Sequence, residues 1–234
     1  PGGLRGDMPE EFEPRLRKFL KGFPEELATC ENLLVGNPIW KERTQGVGIL
    51  SAKEALELGC SGPIARGSGV AWDLRKSHPY SSYEDFDFAV PVGMTGDVYD
   101  RFLFRIAELK ESLKIIVQAM DGLPSDGFRT TDRKIAPPPR EELDTSMESL
   151  IHHFKLYTEG FRPPVGEAYA SVEGSKGELG FFIVSDGSNR PYRWHVRPSS
   201  FMNLKSLAVL AKGRLIADVI AIIGSIESVL GEKD

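Results

Sequence analysis

The sequence predicts an α+β fold, mainly helical, with one small antiparallel sheet of three strands. Three features carry that prediction. Apolar residues recur every three or four positions in two long stretches, 12–34 and 97–121. The period shortens to two across 167–197, where short runs are separated by Gly/Ser/Asn turns. Apolar helical segments then close the chain. Its 234 residues, 41% hydrophobic and 27% charged, have the balance of a globular protein, and a fold of that size buries roughly 70% of its unfolded surface. The length favours one domain over 1–234. A net charge of −5 argues against an electrostatic grip on nucleic acid.

In chain order, Phe12, Leu16, Phe19, Phe23, Leu27, Cys30 and Leu34 mark one face of a long helix. Gly22 and Pro24 should kink or split it, and Gly36 should end it. Ser51-Ala-Lys-Glu54 is a capping box that opens a short helix ending at Gly59. Residues 59–76 read as a Gly-rich loop and a charged turn. Gly67-x-Gly69 lacks the third glycine and the strand of a dinucleotide fingerprint, so close backbone packing explains it better.

Asp97 caps the second long helix, whose stripe includes Tyr99, Phe102, Ile106, Leu109 and Leu113, and Gly122 with Pro124 stops it. The polar, Pro-rich stretch 125–139 is the candidate linker. Thr145-Ser-Met-Glu148 reads as another capping box, opening a helix to Gly160. Strands follow at 167–173, 179–185 and 192–197, then helices near 201–211 and 213–223.

Self-contained catalytic equipment is absent from this pattern: there is no G-x-S-x-G, Walker loop or H-E-x-x-H. Cys30 and Cys60 form no C-x-x-C pair, which favours a reducing compartment and leaves the chain without the thiolates of an iron–sulfur cluster. Adjacent His152 and His153 point about 100° apart on a helix and do not share a metal-binding face. Near the C-terminus the longest charge-free run, Val219–Ile226, falls far short of the roughly 20 residues of a membrane span. The opening Pro1-Gly2-Gly3, without methionine or signal peptide, reads as a fragment or processed product.

Three features ask for more than packing. Asp7 sits in a Gly-rich turn just before a helix, as a helix-cap carboxylate or a functional acid. Arg190–Arg197 interleaves basic and aromatic residues, as an alternating strand or a binding strip. Asp218 and Glu227 interrupt the apolar stretch from Ala217 to Leu230, and buried acids usually mark a partner or an interface.

Several strings are distinctive together: Pro1-Gly-Gly-Leu-Arg-Gly-Asp7, Arg66-Gly-Ser-Gly-Val-Ala-Trp-Asp-Leu-Arg-Lys76, Gly96-Asp97-x-Tyr-Asp-Arg101, Thr145-Ser-Met-Glu-Ser-Leu-Ile-His-His-Phe-Lys155, Val184-Ser-Asp-Gly-Ser-x-Arg-Pro-Tyr-Arg193 and Ala217-Asp-Val-Ile-Ala-Ile-Ile-Gly224. In this order they resemble the C-terminal part of the D subunit of the proton-pumping NADH:quinone oxidoreductase, respiratory complex I, across essentially the whole chain. That family is related to the large subunit of nickel–iron hydrogenases, whose metal is held by two C-x-x-C motifs. Here the C-terminal region has no cysteine, so the resemblance implies a lost metal site reused for quinone.

The resemblance further implies a hydrogenase-large-subunit-like fold and a peripheral-arm subunit on the cytoplasmic or matrix side. It would form the quinone headgroup cavity with the neighbouring subunit that holds the terminal iron–sulfur cluster. Quinone is then the substrate, NAD(H) is bound elsewhere in the complex, and no cofactor or metal is bound by this chain. The implied partners are the other complex I subunits, including the membrane arm, with no nucleic acid. Asp7 takes the place of the acid that pairs with a quinone-site histidine, and Asp218, Glu227 and Val229 fall on the segment expected to line the cavity. Glu227 stands where the family commonly has aspartate. The competing expectations are a plain buried helix packed on Leu204–Leu210, a scaffold subunit without essential chemistry, and a metal-free hydrogenase-like relative.

Overall fold

The computed structural model describes residues 2–124 and 127–232. Its helices are α1 (Phe12–Leu34), α2 (Pro38–Thr44), α3 (Ala52–Glu57), α4 (Pro63–Gly67), α5 (Leu74–Ser77), α6 (Val98–Asp121), α7 (Met147–Thr158), α8 (Ser199–Leu204), α9 (Ser206–Leu210) and α10 (Ile216–Ile226). The strands β1 (Gly166–Gly174), β2 (Gly177–Ser185) and β3 (Arg193–Arg197) form a meander in the order β1-β2-β3. The mainly helical α+β class with its three-stranded sheet is therefore as expected.

The chain divides into two compact units. One comprises Pro1–Arg15, Leu123–Tyr169 and Phe182–His195; the other comprises Leu16–Gly122, Ala170–Phe181 and Val196–Asp234. In the first, Gly3 pairs antiparallel with Arg129, and the Leu4 and Thr130 amides donate to the carbonyls of Phe128 and Gly2. Gly3 is required there, since its φ is +128° and a Cβ would lie 2.5 Å from the Phe128 carbonyl oxygen. Within the stretch expected as a linker, 125–139, residues 128–130 are thus hydrogen-bonded to the N-terminal residues; the start of the stretch, Ser125 and Asp126, lies outside the described residues.

The second unit carries a core of Val47, Leu50, Ala55, Cys60, Ile64, Val98, Leu210, Ile222 and Ile226. Here residues 59–76 depart from the expected Gly-rich loop. They fold into α4 and α5, and every residue of α4 is buried. Such burial needs close backbone approach, and Gly62 provides it: a Cβ there would sit 2.2 Å from Gly177 Cα.

Local signals explain most helix starts. The Ser51–Glu54 capping box forms as expected, and Asp97 accepts from the Asp100 amide to cap α6. At α7 the cap is Ser146 rather than Thr145, with its hydroxyl accepting from the Ser149 amide. Thr145 is used in the preceding turn, where its hydroxyl donates to the Glu142 carbonyl. The helix expected over 201–211 breaks into α8 and α9, and the last helix begins at Ile216 rather than 213. Ser206 Oγ donates to the Asn203 carbonyl at 2.6 Å, competing with the helical ladder at that break. Pro24 does not split α1, which runs unbroken through it.

Candidate functional site

One face of α6 decides where charge is buried in the second unit. Arg101, Arg105 and Glu108 follow at i, i+4 and i+7, and so form one stripe. Arg101 is fully buried. Among the described residues it pairs with no carboxylate; its guanidinium donates to Ser225 Oγ at 3.1 Å, the Gly96 carbonyl at 2.7 Å and the Gly48 carbonyl at 3.0 Å. Burial, with the nearby charge of Arg105, lowers its pKa to about 10.

Glu108 faces a second buried cation, Arg66 of α4. Arg66 donates to Glu108 at 2.8 Å and to Glu173 of β1 at 2.7 Å, and lies 3.7 Å from Asp73. Asp73 also caps α5 and is gripped by Arg75. Burial pushes the Asp73 carboxyl up, but the Arg75 hydrogen bonds and the Arg66 and Arg75 charges bring it below its ordinary value. At Glu108 burial prevails, and the carboxyl lies above its ordinary value.

The α10 helix has two apolar faces. Ile222 and Ile226 enter the core, while Ile216 and Ile220 are 85% and 69% exposed, with Leu215 and Ile223 also uncovered. Asp218 is buried and does two jobs. It accepts the Leu215 amide at the start of the helix, and it pairs with Arg43 of α2 at 3.1 Å. Glu227 ends the helix in the left-handed region at φ 56°, a conformation that costs a non-glycine residue free energy. Arg105 at 2.9 Å and Lys176 at 2.8 Å hold its carboxylate and bring it below its ordinary value against the opposing effect of burial.

Val229 follows partly exposed, its amide donating to Ser200 Oγ. Glu232 accepts from the Ser200 amide and the Ser199 hydroxyl, tying the C-terminal turn to the start of α8. Glu227 lines an open cleft of about 310 Å³ together with Arg66, Arg75, Arg105, Glu108 and Lys176.

In the first unit Asp7 is exposed and accepts the Met8 amide at 2.8 Å. It lies five positions ahead of α1 and does not cap it. A wider cleft of about 1040 Å³ is lined by Arg5, Arg129, Arg140, His153, Tyr157 and Phe161. His153 stacks on Tyr157 at 4.5 Å between ring centroids, whereas His152 faces Glu148 at 3.6 Å. Arg129 donates to the carbonyls of Leu4, Arg5 and Pro137, which fixes the N-terminal turn.

The whole chain, residues 1–234, matches the model of a family described as respiratory-chain NADH dehydrogenase, 49 Kd subunit. The chain belongs to the 49-kDa subunit family of respiratory-chain NADH dehydrogenase. Relatives named as the D subunit of NADH-quinone oxidoreductase include one from Wolbachia sp. subsp. Brugia malayi, 51% identical over all of this chain and 60% of its own length. Another, the D subunit numbered 2 from Chloroflexus aurantiacus, is 52% identical over all of this chain and 57% of its own length. A third, from Ehrlichia chaffeensis, is 49% identical over all of this chain and 60% of its own length. The chain spans about 60% of the length of such relatives.

For this member of the 49-kDa subunit family, whose fold is hydrogenase-large-subunit-like, the geometry sorts the expected site residues. Asp218, Glu227 and Val229 belong to α10 and its C-terminal turn, with Asp218 turned to a structural pair; Asp7 belongs to the first unit. The donor set does not fit a hydrogenase metal: Cys30 is exposed, Cys60 is buried with its thiol pushed up to about 11 by burial, and no group of three metal-binding side chains converges among the described residues. Sequence reading missed the network of Arg66, Asp73, Glu108 and Glu173. The signal was present as Arg101-x3-Arg105-x2-Glu108, a charged stripe at helical spacing beside the apolar one.

Proposed function

We propose that the chain forms the quinone site in the peripheral arm of an NADH:quinone oxidoreductase. Electrons from NADH reach quinone there through iron–sulfur clusters, and the transfer is coupled to proton translocation. The observation that carries this reading is α10: a helix already packed on the core by Ile222 and Ile226 leaves Ile216, Ile220 and Ile223 uncovered and ends at a doubly paired acid. Sites for such ligands are mostly apolar with a few placed polar groups. In this reading the neighbouring subunit holds the terminal cluster, NAD(H) binds elsewhere in the complex, and this chain holds no cofactor. The chain sits peripherally on the cytoplasmic side of a bacterial inner membrane, or on the matrix side in a mitochondrion. Contact with the bilayer runs through the membrane arm; no helix among the described residues is long and apolar enough to cross it.

The chain's own residues then have distinct tasks. Val229 and the outward isoleucines enclose the ring or tail of the quinone and keep water from it. Glu227, held by Arg105 and Lys176, sets the charge at one wall. Asp7, exposed and accepting the Met8 amide, pairs with a quinone-site histidine, raises its proton affinity and supports proton donation to the reduced quinone.

Two substitutions in the assembled complex test this. Val229→Met should alter sensitivity to quinone-site inhibitors while assembly is kept. In a packed core the same change would cost roughly 1–3 kcal/mol, and lower assembly with an unchanged inhibitor response would reject the cavity. Asp7→Asn should cut quinone reduction while assembly and cluster reduction survive. Normal turnover would instead favour a subunit-joining scaffold, the reading that the uncovered α7 residues Met147, Leu150, Ile151 and Phe154 support.

A further inference from the structure

A residue with a Cβ rarely sits in the left-handed region, and where it does its surroundings must hold it there. Among the described residues other than glycine only Ser81 and Glu227 do so, at φ 52° and 56°. Ser81 lies in an exposed turn. Glu227 ends α10, at a place where helices commonly use glycine to escape that strain. Its side chain opposes the local preference, so its partners must supply the difference.

Arg105 of α6 grips both the backbone and the side chain of this turn. Its Nη2 donates to the Ser225 carbonyl at 2.6 Å, and its Nε donates to Glu227 at 2.9 Å. The planar guanidinium fixes those two acceptors relative to each other. Its Nη1 donates to the Arg101 carbonyl, one turn back on the same helix, which sets the direction of the fork. Arg101 in turn holds the Ser225 hydroxyl. Lys176 meets the same carboxylate at 2.8 Å, but through an ammonium, a point charge on a flexible stem.

The grip decides where the chain goes next. Upstream, Ile222 and Ile226 anchor α10 in the core. Downstream, the Val229 amide donates to Ser200 Oγ at 3.2 Å, and Glu232 binds Ser199 and Ser200. Between those anchors the left-handed turn at Glu227 sets the direction of the chain. In the right-handed region the helix would continue along its axis and carry Val229 away from Ser200.

We propose that Arg105 is a positioning residue. By tying the Ser225 carbonyl to the Glu227 carboxylate it keeps the left-handed turn, and so fixes where the Val229 side chain stands and which quinone ring or inhibitor fits beside it. No proton or electron passes through Arg105. The effect on quinone rests on the cavity reading of α10, whereas the effect on the turn does not.

The test compares Arg105→Met, Arg105→Gln and Lys176→Met in the assembled complex carrying the full-length subunit. Arg105→Met and Lys176→Met each remove one positive charge beside Glu227, but only the first removes the hold on the backbone. Amide exchange at Ser228 and Val229 should quicken roughly tenfold in both arginine variants, the loss of a hydrogen bond to a charged group. It should change far less in Lys176→Met, which loses a part-exposed ion pair. The KM for quinone and the inhibitor sensitivity should shift roughly three- to thirtyfold in the arginine variants, with kcat at saturating quinone kept. Equal responses to Arg105→Met and Lys176→Met would show that only charge matters and overturn the proposal. Unaltered exchange, or loss of assembly in both arginine variants, would overturn it as well. If exchange quickens while KM and inhibitor response stay fixed, Val229→Met separates the two failures. A response to Val229→Met would then overturn the link from the turn to the cavity wall. No response to either substitution would reject the quinone reading and leave the grip on the turn standing.

Discussion

Arg66 on α4 and Arg101 on α6 are 1% and 0% exposed, and each donates to backbone carbonyl oxygen, yet the groups that neutralise them differ. Arg66 is met by three carboxylates, with the Phe104 ring 5.6 Å from its guanidinium carbon. Arg101 is met by two backbone carbonyls and a serine hydroxyl. Carboxylates neutralise a buried cation strongly, but each brings its own desolvation cost and its own titration. Carbonyl dipoles neutralise it less and do not titrate. The region around Arg66 is therefore responsive to pH and to nearby charge. The region around Arg101 is a fixed staple that joins Gly48, Gly96 and the last turn of α10.

The largest test of that contrast is Arg66→Met. It leaves three acids facing Arg75 alone and should destabilise the second unit by about 3–5 kcal/mol, read as lost hydrogen-exchange protection of α4 and α6 in the assembled complex. Arg101→Met takes the donor from the Gly48 carbonyl, while the Gly96 carbonyl still accepts the Leu50 amide, and it also removes a costly buried charge, so its net loss should be smaller, about 2 kcal/mol. It should also loosen α10 selectively, because Ser225 loses its donor. Equal losses for the two substitutions would break the comparison.

The smallest effect is the acid response. Asp73 lies below its ordinary value, so its contribution is complete above the unfolded carboxylate pKa of about 4 and is lost as pH falls through its lower folded value. Glu108 has the opposite sign, and its contribution declines as pH climbs from the unfolded value through its raised one. Protection of α4 and α5 should therefore fall in acid, while amides around Gly48 and Gly96 hold. A uniform response of both regions would deny that carboxylates and carbonyls differ in the way described.

How much was legible beforehand follows the range of each interaction. Ser51 and Asp97 could be read as caps because hydroxyl or carboxylate and the amide it serves lie three residues apart. Ser146 displaced Thr145 because Thr145 was engaged by Glu142, itself held by Arg133 and Ser149. The acids at 218 and 227 stood out as charges in an apolar stretch, but nothing local said that Asp218 would pair with Arg43 while Glu227 met Arg105 and Lys176. The Arg66–Glu173 contact joins residues 107 positions apart, beyond the reach of any spacing rule.

The sequence by itself determined the α+β class, the meander and most helix starts, because periodicity, turn residues and caps act within a few residues along the chain. Its family strings also pointed to the 49-kDa subunit family that the whole-chain match establishes. The tertiary structure alone decided which face of α6 is buried, which carboxylates share Arg66 and which isoleucines of α10 remain uncovered. The physical reason is that desolvation and charge balance belong to a point in space, and only folding chooses which distant residues meet there.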